Sequence, residues 1–364
     1  MNPILVIAKL NDKKLKDKLY PLKEAFPNKK IFVLRRMKGI DIDNVEYISL
    51  SNPISRHSFL GTLFLFLKAF FLLKQINPSL IISYFFVPHG LMSIILGKIF
   101  KKKVICSIIG SDQIKLESGF FSNFYLNLLK KSSCIVVTGS TMYKKLQSKI
   151  NQSYKINVIP NTKKIIPNFR KITEKDIDFI FIGRLIKLKQ VDIIIDSFNR
   201  YTQKNNVNKN LFIIGDGSER VALEKSVSKY NLKNQITFTG YQRNVNDFLK
   251  RSKFILLASS IEGLPAVLIE GMMNGCIPIT TNVGDIGDIV SEENGFLIDY
   301  SLNAEPEMLV ERFVELFEKV MNIDTQILNQ YSLNNIEKSK QFDYSVSSIK
   351  WVQCIKKTLL NNDI

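Results

Sequence analysis

Two glutamates in "SSIEGLPAVLIEGMMNGCIPIT" (259–280), Glu262 and Glu270, stand on either side of what reads as a helix start. Their spacing alone does not single them out, because Glu307 and Glu315 repeat it. The context does. Residues 254–257, "FILL", read as a strand that ends at Ala258. Gly263 permits an unusual backbone angle, and Pro265 suits the first turn of a helix. Glu262 then lies in a strand-to-helix loop at the carboxyl edge of a sheet, and Glu270 lies further along the helix. Free amides around Leu264–Val267 would form a positive helix start suited to an anion such as phosphate. Two carboxylates would not bind that phosphate, but they accept hydrogen bonds from hydroxyls. Phosphate flanked by hydroxyls describes a nucleotide-sugar.

Such a ligand needs cations, and "FIGRLIKLKQVD" (181–192) has them. Gly183 allows close approach, and Arg184 and Lys189 lie five apart around a turn, within reach of one diphosphate. "IIGDGSER" (213–220) is another strand-to-turn element, and its Gly215-Asp216-Gly217 is explained equally well by a plain turn. "IIGSD" (108–112) ends a strand in the first half, with Ser111 and Asp112. Asp41/Asp43 and Asp176/Asp178 match a D-x-D pattern by letters only. With two histidines, His57 and His89, in the whole chain, no metal site is assigned. Cys106, Cys134, Cys276 and Cys354 are scattered and read as buried thiols of a reducing cytoplasm. No signal peptide is read, since Met1 leads almost directly into Ile4–Ile7.

These residues need a scaffold. Strands are expected at Ile4–Ile7, Ile31–Leu34, Val45–Ile48, Leu80–Ser83, Val104–Ile108, Ile135–Thr138 and Ile156–Ile159. After a polar linker at 161–176 the pattern restarts at Phe179–Ile182, Leu211–Ile214, Ile236–Thr239, Phe254–Leu257 and Ile277–Thr280. β-Branched richness and intervening helical segments make this α/β, with two Rossmann-like doubly wound domains facing a cleft. The tail from Asp343 to Leu360 reads as a helix.

Charge is divided unevenly. Of a net +18, residues 1–170 hold 28 Lys and Arg against 8 acids, and residues 171–364 hold 23 against 25. The basic half implies an anionic partner there, such as a membrane surface or nucleic acid. No aromatic stacking motif or reader helix interleaves the basic residues, which disfavours nucleic acid. "FLGTLFLFLKAFFLLK" (59–74) is membrane-like but too short to span. Its fifteen residues from Phe59 to Leu73 make about 22 Å of helix, against a hydrocarbon core of roughly 30 Å. It reads either as a core helix or as a helix lying in the interface, with Arg56, Lys68 and Lys74 near lipid phosphates.

"GRLIKLKQVD", "IIGDGSER", "ITFTGYQRNVNDFLKRS", "SSIEGLPAVLIEGMMNGCIPITT", "NVGDIGDIV" and "ENGFLI" together resemble the retaining glycosyltransferases of GT-B fold, family 4. The likeness covers about residues 176–300 and, more loosely, the first half. It implies an acceptor-binding domain at 1–165, a nucleotide-sugar-binding domain at 176–340, and a C-terminal segment at 341–364 open to packing back on the first domain. It implies that Glu262 meets the donor sugar, that Glu270 holds the ribose, and that Arg184 and Lys189 take the diphosphate. Backbone at Gly183, Gly263, Leu264, Pro265 and Ala266 would line the donor site. Gly215 would give the nucleotide room, and Tyr241 and Arg243 would approach the base. Ser111, Asp112 and His89 would lie on the acceptor side. The sequence departs from the pattern at Ile109 (often histidine), Gln190 (usually glycine), Ala258 (usually proline) and Asp288 (usually glutamate). The implied activity is metal-independent, retaining transfer from a nucleoside-diphosphate sugar, without a further cofactor. The acceptor would be a saccharide or lipid-linked saccharide of envelope polysaccharide assembly. The enzyme would be cytoplasmic and peripheral at the inner face of the plasma membrane. The rival readings are a nucleotide-sugar-binding relative without catalysis, a nucleic-acid-binding protein, and a glycoside hydrolase using the two glutamates.

Overall fold

The computed structural model describes residues 2–50, 58–109, 112, 116, 121–150, 155–301 and 305–360. It forms two compact units, one of Met1–Lys164 with Asp343–Ile364 and one of Ile165–Phe342.

Unit 1 is a parallel sheet of β1 (Ile4–Ala8), β2 (Ile31–Leu34), β3 (Val45–Ile48), β4 (Leu80–Tyr84), β5 (Lys103–Ser107), β6 (Cys134–Val137) and β7 (Ile156–Val158), in the order β3-β2-β1-β4-β5-β6-β7. β1, β2 and β4 are buried along their whole length because helices cover both faces. Alternate side chains separate the two layers. Leu5, Ile7, Ile81 and Cys106 face a core shared with α2 (Ser58–Ile76), α3 (Leu91–Ile99), α4 (Ser122–Leu129) and α5 (Ser140–Lys149). Ile4, Val6 and Ile82 face a second core, which includes α1 (Asp12–Ala25). Among the described residues no helix is long and apolar enough to cross a membrane.

Unit 2 repeats the plan with β8 (Ile177–Ile182), β9 (Leu211–Ile214), β10 (Ile236–Gly240), β11 (Ser252–Leu257), β12 (Ile277–Asn282) and β13 (Phe296–Asp299), in the order β10-β9-β8-β11-β12-β13. Its helices are α6 (Val191–Asn205), α7 (Arg220–Lys229), α8 (Asn246–Arg251), α9 (Ala266–Met272), α10 (Pro306–Met321) and α11 (Thr325–Ser339). Phe179 anchors the core, with ring centroids 4.6 Å from Phe317 and 5.7 Å from Phe254. All twelve expected strands are present within a residue or two. β13 was not foreseen, because Asn294-Gly295 reads as a turn and the strand that follows it has only four residues.

The last helix, α12 (Tyr344–Leu360), belongs to unit 1 and packs on α1. Trp351 is buried there with its ring nearly perpendicular to that of Tyr84, and Asp17 of α1 accepts from Tyr344 Oη (2.7 Å) and Lys163 Nζ (2.6 Å). The same packing brings Cys354 Sγ to 3.3 Å from Cys134 Sγ on β6. All four cysteines are buried free thiols.

Strand order reverses between β1 and β4 in unit 1 and between β8 and β11 in unit 2. The loops leaving such neighbours diverge to opposite sides of the sheet, so a crevice opens at the strands' carboxyl ends.

Candidate functional site

In unit 2 the loops at that crevice are the two that the sequence singled out. β8 ends at Ile182 and β11 at Leu257, and the strands are hydrogen-bonded neighbours. Their loops are also tied to each other. Ser260 N donates to Leu188 O (3.0 Å), which joins the β11 loop to the single turn Lys187–Lys189. Lys189 Nζ forms an ion pair with Glu262 Oε1, and Ser259 Oγ donates to the same oxygen at 2.8 Å. Ser259 is fully buried, and its carbonyl accepts from Thr281 Oγ1 at 2.7 Å. The carboxylate is therefore held by a cation from one strand-end and a hydroxyl from the next. Both side chains stay partly accessible, Lys189 at 19% and Glu262 at 12%. Arg184 lies in the same β8 loop, is exposed, and makes no ion pair among the described residues. Lys189 and Glu262 are thus brought together, and Arg184 supplies an open cation on the loop that carries Lys189.

Glycines let the backbone pack this closely. Gly215 has φ +141°, and a Cβ there would lie 1.8 Å from Gly183 O. Gly284 has φ +62°, and its Cβ would lie 2.1 Å from Glu262 O. Asp285 N donates to Gly263 O (3.2 Å), so the turn after β12 clasps the Glu262 loop. Gly215 therefore leaves no space for a side chain against the Gly183 carbonyl. Gln190, at the position where the family pattern has glycine, sits left-handed at φ 45°, ψ 49°. Its buried Oε1 has no hydrogen-bond partner among the described residues.

α9 begins one residue later than expected. Pro265 is its N-cap, with φ −70° and ψ 116°, and Ala266 is the first helical residue. Leu264 and Pro265 are buried under the loop, and Glu270 is partly exposed on the helix. Tyr241 and Arg243 are exposed just past β10, two strand spacings, ~10 Å, from β8.

The comparison pair of glutamates has a different fate. On α10, Glu307 pairs with Arg200 (2.9 Å) and Glu315 with Arg312 (2.9 Å) at the surface. The D-x-D pairs are likewise used in ion pairs, Asp176 with Arg251, Asp178 with Lys253, and Asp43 with Lys23. Among the described residues no group of three or more His, Cys, Asp or Glu is placed to hold a metal ion. A cavity of about 350 Å³ lies between β13 and α10, and none of the site residues line it.

In unit 1 the crevice loops bury Leu10, Phe86 and His89 and leave Lys9 exposed. The turn Phe86–Gly90 follows β4, and in it His89 is 3% exposed with no hydrogen-bond partner for Nδ1 among the described residues. Burial, and then the positive charges of Lys9 and Arg36, lower its pKa to about 4. Asp112 is 1% exposed, and its Oδ2 accepts from Phe86 N (2.8 Å) and Ile109 N (3.2 Å). It thereby holds the ends of β4 and β5 together. Ser111, Arg56 and His57 lie outside the described residues. Ser259 and Thr281 were missed by sequence reasoning. A hydroxyl three residues before a glutamate carries no signal until the loop is folded.

Residues 162–330 match the model of the family described as Glycosyl transferases group 1. The chain is 26% identical over 399 residues to an uncharacterized glycosyltransferase of Methanocaldococcus jannaschii, with 95% of each chain covered. It is 25% identical over 189 residues to a GalNAc-alpha-(1->4)-GalNAc-alpha-(1->3)-diNAcBac-PP-undecaprenol alpha-1,4-N-acetyl-D-galactosaminyltransferase of Campylobacter jejuni, covering 52% of this chain and 50% of the relative. Among solved structures, HepE of Anabaena in complex with UDP superposes with a TM-score of 0.74 at 16% identity, covering 98% of this chain and 100% of HepE. Sucrose-phosphate synthase of Thermosynechococcus elongatus gives 0.77 at 15% identity, with 98% of each chain covered. The fold is therefore that of the GT-B glycosyltransferases, and its second unit carries a Glycosyl transferases group 1 domain.

Proposed function

We propose that this chain is a glycosyltransferase that moves a sugar from a nucleoside-diphosphate sugar to a saccharide or lipid-linked saccharide, with retention at the anomeric carbon. The observation that carries the reading is the Lys189–Glu262–Ser259 cluster at the β8/β11 crevice, with Arg184 open on the same loop. Breaking the bond from the anomeric carbon to the diphosphate leaves negative charge on the leaving group. Arg184 and Lys189 would meet that charge with the chain's own cations, fixed in place before reaction. Glu262, held by Ser259, would accept from the donor sugar's hydroxyls, and Glu270 from the ribose. The acceptor oxygen would form its bond on the face the diphosphate leaves, and its proton would pass to a leaving phosphate oxygen. Glu262 is then a positioning acceptor rather than a nucleophile, consistent with its pairing to a lysine.

Relatives named for capsular polysaccharide biosynthesis in Staphylococcus aureus and for amylovoran biosynthesis in Erwinia amylovora support a role in envelope polysaccharide assembly. In that role the protein acts at the inner face of the plasma membrane, where a lipid-linked acceptor would be presented. Thermal shift against a panel of nucleotide-sugars tests the reading. Stabilisation by one sugar nucleotide, lost in Glu270→Ala and in Lys189→Ala, is expected, as is turnover giving a product of unchanged anomeric configuration by NMR. A chain indifferent to every nucleotide-sugar would overturn it.

A further inference from the structure

Helix α2 has two apolar stripes, and the fold uses one. Leu65, Ala69, Leu72 and Leu73 are buried against the sheet. On the other side Leu63, Phe64, Leu67 and Phe71 are 46%, 41%, 44% and 66% exposed. Leu63, Leu67 and Phe71 follow one another at four residues and Phe64 stands three before Leu67, which places all four on one face of the helix. Nothing in unit 1 requires that second stripe, since a helix packed on one side needs one.

The surface continues beyond α2. α3 packs beside α2 and α4 beside α3, all over the same sheet face. α3 turns Ile95 and Ile99 outward, and the start of α4 exposes Phe121 and Phe124. Apolar exposure on three adjacent helices exceeds the scattered surface residues that any soluble fold shows.

Charge selects what fits it. From Glu46 to Glu174 the chain holds eighteen Lys and Arg, and the acids between those two glutamates are Asp112 and Glu117. Asp112 is buried. Lys68 and Lys74 lie on the exposed side of α2, Lys98 and Lys101 at the end of α3, and Lys130 and Lys131 just after α4. An apolar face ringed by cations, with acids excluded, complements an anionic bilayer: acyl boundary for the rings, phosphates for the ammonium groups. At nineteen residues α2 is about 28 Å long, enough to lie along a surface.

We propose that the outer face of α2, α3 and α4 docks on an anionic phospholipid bilayer, with Phe71, Phe124 and their apolar neighbours at the headgroup–acyl boundary. This gives the membrane part of the proposed function, on which it rests, a particular surface. Its test does not depend on sugar transfer.

The full chain is sedimented with vesicles of phosphatidylglycerol and phosphatidylcholine, and with phosphatidylcholine alone, at low and high salt. Binding is expected on the anionic vesicles at low salt and is expected to weaken as salt rises. The paired change Phe71→Ser and Phe124→Ser should weaken it at least about tenfold, from the apolar area withdrawn. Lys98→Glu with Lys101→Glu should weaken anionic binding and leave neutral vesicles unaffected. Melting temperature and nucleotide-sugar shift should be unchanged in both variants, because all four residues are outside the candidate donor site. Vesicle binding unaltered by the double phenylalanine change would overturn the proposal. So would light scattering that shows a dimer which the same change converts to monomer, because the face would then belong to a second copy. Vesicle binding without any nucleotide-sugar shift would sink the proposed donor chemistry and leave this surface standing.

Discussion

The two units share one strand order through six strands, yet their crevices use different side chains. Where β8 and β11 diverge, short loops present a lysine, an arginine and a glutamate at partial exposure, held by a buried serine. Where β1 and β4 diverge, the chain places Leu10, Phe86 and a buried neutral histidine beside the exposed Lys9, with Asp112 bonded to backbone amides. Backbone geometry differs in step. Among the described residues every glycine with positive φ, Gly215, Gly240, Gly275 and Gly284, is in unit 2. Unit 1 uses only Asn44, Asn77, Phe85 and Lys101 in that region among its described residues, whereas unit 2 adds Gln190, Asn206 and Asn231 to its glycines. Topology thus fixes where a site can open, and the loop residues decide what the site can do.

The sharpest way to break this contrast is to remove the cations of one crevice. Lys189→Ala or Arg184→Ala should lower sugar transfer by about 10²–10³-fold, the scale of one preorganised charge-stabilising donor. Stability should change little for Arg184→Ala, which loses no ion pair, and more for Lys189→Ala, which strands a largely buried carboxylate. Steady-state rates beside melting curves separate the two effects. If Arg184→Ala transferred sugar at the wild-type rate, the charged crevice would lose its assigned role.

Gly215→Ala tests the close backbone packing of the same crevice. A methyl group driven into the Gly183 carbonyl at φ +141° should cost about 3 kcal/mol in a urea titration. A cost below about 0.5 kcal/mol would mean that the strand ends are free to part.

His89 probes the other crevice by pH. Its folded pKa of about 4 lies below the ordinary 6.5, so the unfolded chain takes up the proton first as pH falls. Stability from this group is full above about pH 6.5 and is lost progressively down to pH 4, by up to about 3 kcal/mol. His89→Gln should flatten that window in unfolding curves measured from pH 7 to 4. An unchanged acid slope would show that His89 is not the buried neutral group described.

The smallest expected effect is at Gln190. Replacing a left-handed glutamine by glycine should raise stability by about 0.5–1 kcal/mol, because the relieved φ strain slightly outweighs the added chain entropy. A loss on Gln190→Gly would show that the side chain contributes a contact worth more than the strain.

Much of the fold was legible because buried parallel strands are short β-branched runs between turns, as in "IDFIFI" and "FILL". Glu262 was legible because Gly263 and Pro265 mark a loop before a helix, whereas Glu307 and Glu315 sit within one. Ser259 was not, since its hydroxyl matters only through the 2.8 Å contact to Glu262. Helix α2 was readable as apolar and too short to span. Which of its two stripes is buried was settled by packing alone.

By itself the sequence determined the local states: which runs are strands, where glycine and proline punctuate them, and that positive charge gathers in the first half. These follow from side-chain chemistry within a few residues along the chain. Tertiary structure decided the meetings. Lys189 reaches Glu262 across 73 positions because β11 pairs with β8 rather than with its own sequence neighbour β10. Cys134 reaches Cys354 across 220 because the last helix returns to the first unit. Parallel pairing and helix return are non-local choices, set by burial of the whole sheet, and no stretch of a few residues encodes them.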